Sequence, residues 1–178
     1  DSNDSNVHDT SEWHLAHDPD VMDIGWGTSY RCVQFVISRT GRPVPSMAEM
    51  QQHVMFPHMR HVPSMCHHPL APLNSRQMKK ILESRNIHAR FSIRICGYRD
   101  SRSIYDWLWI LKQHIQRHGL PIIVTKKDQS FSIIEISENL KRATVHDPHT
   151  LYDTCISSVP TRPFFGGLRW RACCPVAL

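Results

Sequence analysis

Gly25-Trp26-Gly27-Thr28-Ser29-Tyr30-Arg31-Cys32-Val33-Gln34-Phe35-Val36-Ile37-Ser38 is the stretch that decides the fold. A tryptophan between two glycines makes a tight turn, and the run behind it is apolar at Cys32, Val33, Phe35, Val36 and Ile37. Apolar residues at both i+3 and i+4 favour a buried helix, although the β-branched content leaves a strand open. Thr28 or Ser29 is placed to cap that helix, because a hydroxyl there can accept an orphan N–H of the first turn. Taken alone, the turn need do no more than cover a core.

Working outward, Thr40-Gly41-Arg42-Pro43-Val44-Pro45 breaks the chain, and Ser46 with Glu49 forms a capping box that opens a helix to about Met55. Residues 56–72 carry four prolines and read as loop. Asn74 caps a third helix to about Ser84, with Met78, Ile81 and Leu82 as its stripe. Ile87 to Ile95 alternates with period two and reads as a strand. Ser103 to His118 is the longest helix, with Ile104, Trp107, Leu108, Leu111 and Ile115 on one face and Gly119 as its stop. Leu120–Val124, Phe131–Ile136 and Ala143–His146 read as strands, and Lys126-Lys127-Asp128 as a hairpin turn. Helices first and an antiparallel sheet afterwards is an α+β order. The expected organisation is a flexible leader over 1–12 and a single domain over 13–178.

Composition narrows the class of function. A chain of 178 residues can bury a core without disulfides or metal, and no apolar run approaches the ~20 residues of a membrane span. No secretory signal opens it, and its six cysteines fit no disulfide framework, so the expectation is free thiols in a reducing, cytoplasmic setting. The net charge of +5 is spread over pairs and singles such as Lys126-Lys127 and Lys141-Arg142. A nucleic-acid binder concentrates its basic residues on one face, so an acidic protein partner accounts for the charge equally well and nucleic acid is not expected. His53, His58, His61, Cys66, His67 and His68 are the densest candidate metal ligands, but they lack ligand spacing and read as solvated loop. Trp107 and Trp109 read as packing residues. Neither a metal nor a cofactor is expected.

Asp147-Pro148-His149 places a carboxylate and an imidazole two residues apart at a strand end. Residues i and i+2 of a strand share a face, so both can point at the start of the first helix. A helix N-terminus favours negative charge and activates a thiolate there. Nucleophile on the helix, histidine as base and aspartate as orienter is the logic of a hydrolase triad.

Gly25-Trp26-Gly27-Thr28-Ser29-Tyr30-Arg31 followed by Asp147-Pro148-His149 resembles the ubiquitin-fold-modifier-specific proteases (UfSP), papain-like cysteine peptidases with a GWGC(A/S)YR motif. Arg42-Pro43-Val44-Pro45 before Glu49-Met50-Gln51-Gln52 is similar to the family's RPIP…EIQQ stretch. Gly119-Leu120-Pro121-Ile122 and the tail Trp170…Cys173-Cys174-Pro175 also match its pattern. The autophagy cysteine proteases share GWGC and DPH but lack the proline–glutamine segment. The resemblance implies a papain-like fold, Asp147 and His149 as catalytic partners, Trp26 and Gly27 at the substrate, and a ubiquitin-like modifier as partner.

Two departures stand against activity. The nucleophile position is Thr28, not cysteine, and the oxyanion tyrosine position, twelve residues upstream, is Ala16. A threonine hydroxyl is a poor nucleophile without a terminal amine beside it, and its simplest role is a helix cap or a hydrogen bond to His149. Cys32 reads as core. The reading is a degenerate modifier protease that keeps a binding scaffold. A working thiol hydrolase whose cysteine was replaced in this chain, and a structural subunit that reuses the fold, stay open.

Overall fold

In the computed structural model, which describes residues 27–54, 72–94, 101–127, 129–149, 155–166 and 169–176, the run behind Gly27 is a helix, α1 (Thr28–Ser38). Its residues Cys32, Val33, Val36 and Ile37 are fully buried, which is the helical rather than the strand outcome. The expected capping box forms, and the Asn74 cap is part of a second one. Ser46 and Glu49 bond each other's backbone N–H ahead of α2 (Met47–Val54), and Asn74 and Gln77 do so at α3 (Ser75–Ser84). These reciprocal bonds satisfy donors that the first turn cannot satisfy internally.

β1 (His88–Arg94) follows, then α4 (Ser101–His118), which Gly119 ends at φ +65°. β2 (Ile122–Lys126) and β3 (Gln129–Ile136) form a hairpin, with Lys127 in the left-handed region at φ +54°. β4 (Arg142–His146) pairs with β3. Beyond the expected elements lie β5 (Ile156–Pro160), a short helix α5 (Thr161–Phe165) and β6 (Trp170–Val176). The sheet has six strands in the order β1-β6-β2-β3-β4-β5, and each neighbouring pair is antiparallel. The α+β expectation, helices packed on an antiparallel sheet, is met.

Alternation along the strands divides the core in two. Ile123 and Cys173 face the layer of α1, α2 and α3, where Met47, Met50, Met78 and Leu82 pack. Ile122, Val124, Phe131, Ile133, Ala172 and Cys174 face α4 and α5. Trp107 and Phe165 meet edge to face on that side, their ring centroids 5.6 Å apart. Trp109 differs from its expectation as a packing residue. It lies outside the apolar stripe of α4 and is 55% exposed.

Candidate functional site

Thr28 is the first residue of α1 rather than its cap, which is Gly27 with no side-chain hydrogen bond. Ser29 does not cap either, because its Oγ accepts the N–H of Leu73 at 2.7 Å and ties the start of α1 to the segment before α3. Farther along, Gln34 Nε2 donates to the carbonyl of Pro45 at 2.8 Å. The helix is therefore held at its start and at its middle. Thr28 itself is buried, and its Oγ1 has no hydrogen-bond partner among the described residues. The hydrogen bond expected between Thr28 and His149 is thus absent.

Asp147-Pro148-His149 lies just beyond β4, in a turn rather than in the strand. The N–H of Asp147 donates to the carbonyl of Cys155 at 2.6 Å, and Asp147 Oδ1 accepts the backbone N–H of His149 at 2.9 Å. This aspartate turn replaces the strand alternation that was expected to aim both side chains one way. The correction has a local cause: an Asp side chain can satisfy the backbone two residues on, and Pro148 offers no N–H to extend the ladder. His149 Nε2 is buried and has no partner among the described residues, and its ring lies 6.1 Å from that of Phe131.

The end of β4 nonetheless comes to α1. His146, buried next to Asp147, stacks flat on Phe35 with centroids 4.2 Å apart and planes 6° from parallel. One turn earlier on α1, burial pushes the Cys32 thiol up to about 12. The nearby Ser132 hydroxyl opposes that rise and the Asp147 carboxylate adds to it. Sequence reasoning missed the Phe35–His146 stack. Its only signal was that His146 stands one step out of phase with Val145, on the strand face opposite the α4 side.

Chemically, the site holds a hydroxyl at the positive end of a helix and a carboxylate spent partly on its own turn. The described thiols are no substitute nucleophile. Burial pushes Cys174 up to about 12 and raises Cys173 and Cys155 as well, whereas nucleophilic cysteines have lowered values. A groove of about 310 Å³ between α2 and α3, lined by Pro45, Glu49, His53 and Arg85, includes none of the expected site residues.

Ala16 and Trp26 lie outside the described residues, as do His58, His61, Cys66, His67 and His68. Among the described residues no group of three or more His, Cys, Asp or Glu side chains could hold a metal ion, and no helix is long and apolar enough to cross a membrane.

No protein-family model matches the sequence, and comparison with curated proteins finds no significant match. Among solved structures, the crystal structure of UfSP from C. elegans is similar to this chain, with a TM-score of 0.68 and 19% identity over 93% of the chain. The chain spans about a third, 32%, of that protein's length. The likeness is one of fold: this chain has the α+β fold of a UfSP.

Proposed function

We propose that this chain is a degenerate ubiquitin-fold-modifier protease domain, without peptidase activity, that retains a surface for a ubiquitin-like modifier. The observation that carries the reading is Thr28. It occupies the buried first position of a helix tied down at its start by Ser29 and at its middle by Gln34, at the place where the resembled motif has its cysteine. The fold shared with a UfSP supports the family. The raised values of Cys32, Cys173 and Cys174 support the absence of a replacement nucleophile. Asp147 and His149 are the family's catalytic partners carried over by motif, and here their turn is held by the Asp147–His149 backbone bond. Ala16 would offer no hydroxyl to a developing oxyanion, a loss that costs ~10²–10³ in rate in comparable sites. The motif carries Trp26 and Gly27 over as the family's contacts to the modifier's tail, and free thiols fit a cytoplasmic setting. Binding can outlast catalysis, because ground-state contacts and transition-state contacts use separable groups.

Calorimetric titration with a ubiquitin-fold modifier, the same modifier lacking its C-terminal tail, and ubiquitin tests the reading. Tail-dependent binding without cleavage of a modifier precursor is the expected result. Cleavage would overturn the inactive reading, and binding of none of the three would leave the structural-subunit reading instead.

A further inference from the structure

The outer face of α4 lies across the sheet from α1 and plays no part in the site above. Its buried stripe, Ile104, Trp107, Leu108 and Leu111, packs on the sheet. Helical spacing then turns Trp109, Ile110, Gln113 and Arg117 outward. Trp109 and Ile110 are 55% and 53% exposed, adjacent large apolar side chains on a surface with few of them. Exposed aromatic and aliphatic groups next to each other are characteristic of contact surfaces rather than of solvated helix faces.

The last two turns of the same helix carry basic side chains. Arg117 is exposed, while His114 and His118 flank it with their rings 4.5 Å apart. His114 Nε2 lies 2.7 Å from the carbonyl of Pro175 in β6, which fixes its ring against that strand. Exposed Arg90 approaches from β1. Partial burial holds His118 below its usual value, and its neighbours His114, Arg117 and Arg90 act in the same direction, so the fixed positive charges at this helix end are Arg117 and Arg90. Among the described residues no carboxylate acts on His118 to offset them. Asp106, the acidic residue of α4, stands one turn before the apolar pair, at the other end of the face.

We infer that the outer face of α4 is a docking surface for a protein segment that carries apolar anchors flanked by carboxylates. Trp109 and Ile110 receive the anchors, and Arg90 and Arg117 receive the carboxylates, with the His114 and His118 rings packed beside them. Aromatic and Arg side chains are the residue types that carry binding energy at protein interfaces. A nucleic acid fits less well, because the cations occupy one helix end instead of a stripe along a backbone. The surface lies on the opposite side of the sheet from Thr28, so a partner bound there leaves the α1 side open.

The test uses the full chain and two fluorescent peptides, one alternating Leu and Phe with Glu and Asp, the other carrying Lys in place of each acid. A single-stranded oligonucleotide forms a third arm. The acidic peptide should bind, more weakly as salt rises, and hydrogen exchange should slow over residues 106–118. Arg117→Glu and Trp109→Ala, both at exposed positions, should each weaken binding about tenfold without shifting the melting temperature. Equal binding of the basic peptide, preference for the oligonucleotide, or indifference to both substitutions would overturn the inference. Neither substitution touches the α1 side, so modifier binding by the wild-type chain reports separately on the proposed function.

Discussion

The two faces of the sheet are built from different materials. On the α4 side, Phe131, Phe164, Phe165 and Trp170 form a continuous aromatic cluster with edge-to-face contacts at 4.8–5.2 Å. On the α1 side the core is methionine, aliphatic and cysteine, and small polar groups intrude. Ser130 is fully buried with no partner for its Oγ among the described residues, and the Thr28 hydroxyl is in the same condition. A face that serves only packing fills with apolar volume. Buried polar atoms without partners cost stability, and a protein tolerates them where a site once needed them or still does. Among the described residues such atoms lie on the α1 side at Thr28 and Ser130, and the α4 side holds the Trp170 indole N–H in the same state, so the two faces differ in degree: aromatic volume dominates one and small polar groups recur on the other.

The largest effect that could break this contrast is on the aromatic side. Trp170→Ala or Phe165→Ala should destabilise the chain by about 3–5 kcal/mol in urea unfolding, since both side chains are fully buried. A loss under about 1 kcal/mol would show that the cluster is not the anchor it looks to be.

A smaller effect runs with pH. Burial lifts Cys32 from 9.0 to about 12, and Cys174 likewise. Because the folded values lie above the unfolded ones, the unfolded chain loses these protons first as pH rises. Stability should be whole below pH 9 and fall progressively toward pH 12. The melting temperature across that range checks it, and Cys32→Ala with Cys174→Ala should flatten the decline. The same thiols should resist iodoacetamide at pH 8 until urea unfolds the chain.

Smaller still is Ser130→Ala. Removing a buried hydroxyl with no partner among the described residues should leave stability unchanged or raise it by up to about 1 kcal/mol. A clear loss would mean that Ser130 has a bridging partner, and the two faces would then differ less than their composition implies.

What the sequence made legible depended on whether each element signals locally. The box at Ser46/Glu49, the cap at Asn74, the apolar stripe of α4 and Gly119 act through neighbours in sequence, and each was found within a few residues. β6 was hidden because it sits inside the sheet. Ala172, Cys173, Cys174 and Pro175 are buried in succession, so no period of two survives. β5 was hidden for the opposite reason. It is an edge strand whose residues are largely exposed and offer no apolar pattern. In the site, the Asp-Pro turn was readable, but strand parity was extended one residue too far, past the point where Asp147 Oδ1 takes over the His149 N–H. The stack of Phe35 on His146 joins residues that lie far apart in sequence, and no local pattern announces it.

The central claim is that the scaffold persists while the nucleophile is gone, and Thr28→Cys tests it most directly. The variant, beside the unaltered chain, would be exposed to a modifier carrying a thiol-directed warhead at its C-terminus, and its thiol reactivity would be followed against pH. The account predicts no labelling of the unaltered chain. It predicts labelling of the variant at residue 28, with a thiol that titrates below its free value, because the helix N-terminus favours the thiolate. Turnover of a modifier conjugate should stay poor and improve on adding Ala16→Tyr, since only acyl transfer builds an oxyanion. Labelling of the unaltered chain, or a residue-28 thiol that stays near ~8.5 and takes no label, would contradict the account.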